Sequence, residues 1–198
     1  MIVGVGWKWE REMWGAGHDL VAGVDEAGRG PIAGPVVAAS VILPRDFSVS
    51  GLDDSKKLTA KRREDLYQAI LEKAVAWSVV FEDSAAIDLL NILQASLRAM
   101  ARSVLQLNPL PHAVLVDGSQ FIPLESNLNI TQEAIVRGDG TSSSIAAASI
   151  IAKVSRDRKM EAYDLTYPGY GFAQHKGYGT RMHREALSRL GATPIHRK

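Results

Sequence analysis

The sequence contains no cysteine, and this absence excludes a disulfide framework, a thiolate metal site and a cysteine nucleophile. Long apolar runs are also missing. Proline, glycine or charged residues interrupt each of them well before the roughly 18 residues that a membrane span requires. Residues 1–5 lack the basic and apolar regions of a signal peptide. These absences predict a cytoplasmic protein without membrane attachment.

The net charge of +1 hides an uneven distribution of charged residues. Residues 1–136 contain 12 Lys/Arg and 17 Asp/Glu, whereas residues 137–198 contain 11 Lys/Arg and 5 Asp/Glu. The basic C-terminal third favours a polyanionic partner. On charge alone, a solvated basic helix face explains the same pattern equally well.

Apolar periodicity predicts strands interleaved with helices. Runs of β-branched and apolar residues indicate strands at 20–25, 35–43, 77–82, 113–117 and 133–137. Capping residues and apolar stripes indicate helices at about 59–75, 92–107, 142–163 and 180–190, with a further helical segment from residue 84. This order is typical of an α/β fold with one mixed sheet. We expect an irregular segment at 1–19, the main domain at 20–163, and a C-terminal loop and helix at 164–198.

Two adjacent carboxylates end the first strand. Asp25 and Glu26 are followed closely by Gly28-Arg29-Gly30. Adjacent acids at a strand end repel each other unless a cation lies nearby, while the glycines admit a close backbone approach and Arg29 suits a phosphate. The string suggests a divalent metal beside a phosphodiester, although Asp-Glu pairs on solvated turns are common.

Two more acids occupy comparable positions. Asp117 ends the fourth strand before a glycine, and Asp139 lies between glycines just before the long helix. If the first and fourth strands are neighbours, Asp25, Glu26 and Asp117 converge at one sheet edge. Hard oxygen ligands favour Mg²⁺ or Mn²⁺, and two such ions stabilise both the attacking and the leaving oxygen of a phosphodiester displacement. The alternative that Asp117 and Asp139 are ordinary turn acids stays open.

Asp157 is a rival fourth ligand on the long helix. It lies about 14 residues into that helix, roughly 21 Å along the axis, so a straight helix cannot bring both Asp139 and Asp157 to one metal pair. Its neighbours Arg156 and Arg158 indicate an ion-pair partner instead. We therefore choose Asp139 as the fourth acid.

Basic and aromatic residues supply candidate substrate contacts. Lys56 and Lys57 precede the first helix, where they either hold phosphates as point charges or form a solvated helix entry. Tyr178 lies between glycines, beside His175 and Lys176, and an aromatic ring there can stack on a sugar or base. A core tyrosine at a turn is the alternative. The remaining histidines show no ligand spacing and are interpreted as surface or loop residues: His18, His112, His183 and His196.

These strings together resemble the ribonuclease HII family. The resemblance runs from about Leu20 to the C-terminus, and it rests on VDEAGRGPIAGPVV (24–37), DSKKLTAKRR (54–63), NILQAS (91–96), LVDG (115–118), SIAAASIIAKVSRDR (144–158) and YGFAQHKGYGT (170–180). It implies a ribonuclease H-like fold, with a central mixed sheet of about five strands flanked by helices and a small C-terminal helical part. It also implies cleavage of RNA in RNA/DNA hybrids and on the 5′ side of single ribonucleotides in duplex DNA, leaving 5′-phosphate ends.

The resemblance also implies roles for individual residues. A four-carboxylate site for two Mg²⁺ or Mn²⁺ ions maps onto Asp25, Glu26, Asp117 and Asp139. Contacts to the ribose 2′-OH and the nearby phosphate map onto Gly28, Arg29 and Gly30, and stacking on the deoxyribose that follows the ribonucleotide maps onto Tyr178. Phosphate contacts are expected at Lys56, Lys57, His175 and Lys176.

The sequence departs from the family in two places, and two other functions are alternatives. Residues 1–19 match no motif of the family. The family often continues with a Ser-Phe-x-Pro-Val type tail where this sequence ends at Lys198, which predicts a weaker grip on substrate with the metal site retained. A DNA resolvase or exonuclease would use clustered acids on the same fold, but Arg29 and Tyr178 argue against it. A non-catalytic binding module is disfavoured by the four intact acids. No apolar stripe is left over, so we expect a monomer.

Overall fold

The computed structural model describes residues 5–48, 51–52, 55 and 58–198. These residues form five strands: β1 (Val21–Ala27), β2 (Val36–Ile42), β3 (Ala76–Glu82), β4 (Ala113–Asp117) and β5 (Thr131–Ile135). The strands make one sheet in the order β3–β2–β1–β4–β5. β2 pairs antiparallel with both β1 and β3, whereas β4 pairs parallel with both β1 and β5. The expectation of one mixed sheet is confirmed.

Helices flank this sheet along the described chain. They are α1 (Lys8–Gly15), α2 (Ala60–Lys73), α3 (Ser84–Leu90), α4 (Ile92–Leu105), α5 (Ser143–Thr166), α6 (Phe172–His175) and α7 (Arg181–Leu190). Five of them begin at caps whose side chains accept a hydrogen bond from the backbone three residues on: Thr59, Asp83, Asn91, Ser142 and Thr180. None of the helices in the described ranges combines the length and hydrophobicity that crossing a membrane requires.

The two faces of the sheet bury different helices. On one face, α2 and α5 pack against β2 through a cluster that includes Leu66, Val41 and Ile150. On the other face, α4 packs against β1 and β4 through a cluster that includes Val24 and Val104. Because successive strand residues face opposite sides, the neighbours of Val24 in β1 face α5. The centre of the sheet is thus closed on both faces, and the strand ends are left to carry polar chemistry.

The expectation of an irregular segment at 1–19 is wrong, because α1 lies within it. The helix is held by its buried Glu10, whose carboxylate accepts hydrogen bonds from Ser142 Oγ at 2.6 Å and Ser144 N at 2.8 Å. These partners lie at the start of α5, more than a hundred residues away along the chain. Trp9, Met13 and Trp14 also pack from this helix against a core cluster that includes Leu115 and Ile145, so contacts with distant parts of the chain stabilise the helix.

Two further expectations need correction. The fifth strand is Thr131–Ile135 rather than 133–137, because its register is set by β4, which places Thr131 opposite Ala113 and Ile135 opposite Asp117. The strand is followed by Arg137, whose φ of 59° is left-handed and turns the chain away from the sheet. The expected loop at 164–179 contains the short helix α6, which packs in a C-terminal cluster around Phe172 and Met160.

Gly23 tests the contact between β1 and α5. A Cβ built at this position would lie 2.1 Å from Ser144 C and 2.3 Å from Ile145 N, so strand and helix would have to separate. We expect Gly23→Ala to lower the free energy of unfolding by about 3 kcal/mol or more, measured by urea denaturation. Gly15→Ala is the control, because a Cβ there meets nothing within 4 Å, and it should change stability by less than about 0.5 kcal/mol. Equal stability of the two variants would contradict the close packing described here.

Candidate active site

Three carboxylates meet in one cavity at the end of the sheet. The parallel register places Val24 opposite Val116, so the next residues, Asp25 and Asp117, emerge side by side. Glu26 follows Asp25 on the part of β1 that extends beyond its pairing with β4. Asp25, Glu26 and Asp117 all line a cavity of about 290 Å³. The expected convergence of these three acids is therefore present in the fold.

Burial and mutual repulsion dominate the electrostatics of this cavity. Asp25 is 4% exposed, and its Oδ1 accepts a hydrogen bond from Glu26 N at 2.7 Å. Burial, and then the charges of Glu26 and Asp117, raise the pKa of Asp25 well above its ordinary value, against a smaller opposing effect of a hydrogen bond with Ser149. Three carboxylates in this space therefore favour a neutralising proton or cation.

The negative charge of the Glu26 carboxylate is only partly compensated by a neighbouring cation. Its Oε1 lies 3.3 Å from Arg29 Nη1, while its Oε2 is buried without a hydrogen-bond partner in the described structure. Burial raises the pKa of Glu26, the charge of Arg29 lowers it, and the charge of Asp117 raises it further. A buried carboxylate oxygen without a partner is costly, and a hard cation is the partner that suits it. The donor set of the cavity thus fits a divalent ion of the magnesium type.

Asp139 lies next to this group but does not line the cavity. It occupies the turn Gly138–Gly140 and is 5% exposed. The backbone N–H groups of Gly138 and Asp139 donate to Asp117 Oδ1 at 2.7 and 3.4 Å, so the turn orients Asp117 directly. Within the described ranges, no three acidic or histidine side chains converge closely enough to ligate one ion among themselves, so an ion in this cavity would take one or two carboxylates and complete its shell with water or phosphate oxygens. Three of the four predicted acids are brought together, and the fourth lies behind one of them.

The loop that contains Gly28-Arg29-Gly30 forms a second wall of the cavity. Gly28 has a φ of 101°, and a Cβ there would lie 2.1 Å from Arg156 Nε and 2.7 Å from Pro35 O, so this position requires glycine. Tyr178, 48% exposed, lines the cavity as well. Its ring Cε1 lies 3.5 Å from where a Gly30 Cβ would stand. Loop and ring therefore form one continuous surface beside the carboxylates.

Two arginines that sequence reasoning missed hold this loop by its carbonyl oxygens. Arg156 on α5 is 1% exposed and donates to Ala33 O, Pro35 O and Lys176 O. Arg197 donates to carbonyl oxygens of four residues: Gly28, Arg29, Pro31 and Gly34. Burial lowers the pKa of Arg197 to about 10, so its guanidinium remains charged at neutral pH. Backbone acceptors leave no trace in side-chain patterns, and no sequence signal would have found these contacts.

The interpretation of Asp157 as an ion-pair partner is correct, although its cation differs from the expected one. Lys153, one helical turn earlier, lies 2.6 Å from Asp157 Oδ1. Arg156 is occupied with the loop, and Arg158 pairs with Glu64. Lys153 also lines the cavity, which makes it a cation of the site that sequence reasoning overlooked.

The structure places the remaining predicted phosphate contacts in different environments. Lys56 and Lys57 lie outside the described residues. Lys176 pairs with Glu161 at 2.6 Å. His175 is 8% exposed, and its two ring nitrogens lie within hydrogen-bond distance of Tyr170 O and Gly177 N, so the structure does not present it to a phosphate.

The interpretation of the other histidines holds only in part. His112 is exposed and His18 is partly exposed. Treating His183 and His196 as surface or loop residues is wrong, because they are 0% and 9% exposed and contact each other through Nε2 atoms 3.1 Å apart. His183 lies in α7 and His196 lies near the C-terminus, and the spacing of the histidines in the sequence does not reveal that the two rings meet.

Removal of one buried carboxylate should stabilise the chain in the absence of metal. Asp25→Asn relieves both the burial of a charge and its repulsion with Glu26 and Asp117. In EDTA at pH 7 we expect a gain of about 0.5–2 kcal/mol in the free energy of unfolding, measured by urea denaturation. Asp157→Asn is the matched control, since it removes a carboxylate that already has a cation partner and should not stabilise. A destabilised Asp25→Asn variant would show that the carboxylate is required for packing.

The same repulsion predicts a pH dependence. A raised native pKa means that the folded chain holds the Asp25 proton more tightly than the unfolded chain does. That stabilisation is complete below the ordinary pKa of 3.8 and is lost as the pH rises through the raised native value. The stability difference between Asp25→Asn and the unsubstituted chain in EDTA should therefore widen from pH 4 toward neutrality. A constant difference over that range would contradict this origin.

Known proteins share both the sequence and the fold of this chain. The family model for Ribonuclease HII matches residues 22–198. A ribonuclease HII of Geobacter metallireducens is 55% identical over 192 residues, covering 97% of this chain and 88% of that protein. One of Leuconostoc mesenteroides is 52% identical over 189 residues, covering 96% and 73%. The crystal structure of ribonuclease H2 from Pyrococcus horikoshii matches with a TM-score of 0.73 at 27% identity, over 90% of this chain and 92% of that one. The chain belongs to the ribonuclease HII family.

Proposed function

We propose that the chain is an endoribonuclease that cleaves the RNA strand of RNA/DNA hybrids and cuts on the 5′ side of single ribonucleotides in duplex DNA, leaving 5′-phosphate ends. Family membership supports the ribonuclease H reaction on a nucleic-acid substrate. The observation that carries the finer proposal is a single cavity with three carboxylates on one wall, and the Gly28-Arg29-Gly30 loop and Tyr178 on the other.

Asp25, Glu26, Asp117 and Asp139 are the residues that would hold two Mg²⁺ or Mn²⁺ ions. The buried, unpartnered Glu26 Oε2 and the raised pKa of Asp25 support a cation in this cavity. Divalent metal chemistry would supply a water of lowered pKa and stabilisation of the departing 3′-oxygen. Asp139 is included in this set because it lies in the turn whose backbone N–H groups, those of Gly138 and Asp139 itself, donate hydrogen bonds to Asp117.

The loop would recognise the ribonucleotide. RNA and DNA differ locally by one 2′-hydroxyl, so contacts to that group carry the selectivity. Gly28 and Gly30 expose backbone groups at the cavity wall, and Arg29 offers a guanidinium fork to the neighbouring phosphate. Arg156 and Arg197 hold the loop from behind, which keeps these groups in one place before substrate binds.

Tyr178 would test the sugar that follows the ribonucleotide. Its half-exposed ring stands beside Gly30, where a stacked deoxyribose would lie next to the recognised 2′-hydroxyl. Lys56, Lys57 and Lys176 are proposed as phosphate contacts on charge alone, and Lys176 would exchange Glu161 for a phosphate. Lys153 adds a cation at the cavity itself.

The direct test uses a DNA duplex with one ribonucleotide, incubated with Mg²⁺, Mn²⁺ or EDTA, beside a continuous RNA/DNA hybrid and an all-DNA duplex. We expect metal-dependent cleavage of the first duplex on the 5′ side of its ribonucleotide, and metal-dependent cleavage of the RNA strand of the hybrid. The all-DNA duplex should stay intact. Cutting of the all-DNA duplex would favour a DNA nuclease. Binding of the hybrid without cleavage in any metal would favour a binding module.

Asp117→Asn separates chemistry from binding. This change removes a negative charge at the centre of the cavity but preserves the size and hydrogen-bonding shape of the side chain. We expect cleavage of the single-ribonucleotide duplex to fall at least about a hundredfold, with hybrid affinity nearly unchanged, measured by gel assay and fluorescence anisotropy. Asp19→Asn is the control and should retain cleavage, because Asp19 is exposed, pairs with Arg45 and precedes β1 at the end opposite to Asp25. Full activity of Asp117→Asn would refute the proposed site.

A further inference from the structure

Three buried histidine rings lie beneath the turn that carries Tyr178. His175, His183 and His196 are 8%, 0% and 9% exposed. The rings of His175 and His183 stack at 4.3 Å between centroids, and His183 and His196 are 5.3 Å apart. Phe172 packs against all three rings. None of the three faces the cavity, so they act on it only through the chain that they support.

Hydrogen bonds fix which nitrogen of each ring carries the proton. The backbone N–H of Thr193 donates to His196 Nδ1 at 2.9 Å, so His196 carries its proton on Nε2. That proton points at His183 Nε2, 3.1 Å away, which must therefore accept. His183 then carries its own proton on Nδ1 and donates to Tyr178 O at 2.9 Å. The bonds form a one-directional relay from Thr193 through two neutral imidazoles to the carbonyl of Tyr178.

The third histidine holds the other side of the same residue. Gly177 N donates to His175 Nδ1 at 3.2 Å, so His175 Nε2 carries the proton and donates to Tyr170 O at 2.8 Å. The backbone carbonyl of His175 accepts a hydrogen bond from Tyr178 N at 2.9 Å. Both backbone groups of Tyr178 are thus tied to the histidine cluster, one through its N–H and one through its carbonyl oxygen.

Each ring must be neutral for this arrangement to exist. A proton on Nδ1 of His196 would displace the Thr193 N–H, and a proton on Nε2 of His183 would face the N–H of His196. Burial lowers the pKa of His183 against a smaller opposing effect of its hydrogen bond to the Tyr178 carbonyl, and burial also lowers the pKa of His196. Neutral imidazoles at physiological pH are therefore consistent with the geometry.

We propose that His183 and His196 are positioning residues that fix Tyr178 beside Gly30, and that this relay sets the preference for single ribonucleotides over continuous hybrids. The proposal rests on the proposed role of Tyr178 as the residue that contacts the deoxyribose. A shift of the tyrosine backbone moves the ring relative to the loop, whereas the carboxylates on β1 and β4 stay in place. Loss of the relay should therefore change substrate preference more than it changes the hydrolytic reaction.

A double-mutant cycle tests this coupling. His183→Phe keeps a ring of similar size but removes both nitrogens, and we expect it to lower kcat/KM on the single-ribonucleotide duplex by about tenfold relative to the continuous hybrid. His183→Asn, whose amide can place an N–H near the position of Nδ1, should restore part of that loss. In a Tyr178→Ala background, His183→Phe should have no further effect on the preference. His18→Phe, outside the cluster, is the control and should leave the preference unchanged.

The outcomes separate the relay from the role of Tyr178. If Tyr178→Ala reduces the preference and His183→Phe does not, the relay is refuted while the proposed function stands. If Tyr178→Ala itself leaves the preference unchanged, the role of Tyr178 fails, and the functional consequence of the relay fails with it. Equal effects of His183→Phe with and without Tyr178 would assign His183 to general stability and overturn the proposal.

A measurement on the unsubstituted chain guards against a variant that fails to fold. Long-range ¹H–¹⁵N correlation spectra at neutral pH distinguish the imidazole tautomers and their charge. We expect the Nδ1–H form at His183 and the Nε2–H form at both His196 and His175. A charged ring at His183 or His196, or the opposite tautomer at either, would contradict the relay.

Discussion

The parallel pairing of β1 with β4 is the constraint on which the site depends. Val24 lies opposite Val116, and this register alone brings Asp25 and Asp117 to the same end of the sheet. A slip of one residue would turn each side chain of β1 to the other face. Such a slip would also remove Gly23 from the start of α5, where no other residue fits without displacement of the backbone. Core packing therefore enforces a carboxylate pairing that electrostatics opposes.

The conflict between core packing and carboxylate repulsion explains why the sheet has an apolar centre and an edge at which acidic side chains repel each other. Val24 and Val116 are fully buried among α4 side chains, whereas the next residue on each strand is an acid. Hydrophobic burial grows with area, and the repulsion acts only among three groups at one end. The sheet can carry the repulsion because its stabilising contacts lie elsewhere. A cation in the cavity would convert the repulsion into attraction without any change of fold.

Local patterns in the sequence predict what local chemistry determines. The strand ends at Asp25 and Asp117 are visible because a buried apolar run stops at an acid and a glycine, and the caps at Thr59 and Ser142 are visible because a hydroxyl precedes an apolar stripe. The observed bounds of β1 and β2 differ from the predicted bounds by at most two residues for the same reason. The edge strand β5 is shifted because its register comes from β4 rather than from its own residues.

Features that depend on distant partners could not be predicted in this way. Glu10 fixes α1 through the start of α5, and Arg197 binds carbonyl oxygens that belong to residues 28–34. A carbonyl is present at every residue, so an arginine that binds carbonyls has no recognisable complement in the sequence. His183 and His196 likewise meet only because α7 and the C-terminal turn pack together. Side-chain motifs therefore point to the candidate site residues and miss the residues that hold them in place.

The missed residues have one property in common, since they position backbone rather than contact a ligand with a side chain. Recognition of a single hydroxyl requires the recognising groups to stay within about 0.5 Å of their productive positions. Backbone groups cannot adjust by changing rotamer, so their precision comes from whatever holds the loop. Arg156 and Arg197 supply this on one side of the cavity, and the histidine relay supplies it under Tyr178. Under the proposed function, selectivity would therefore be set by buried side chains that need not touch the substrate.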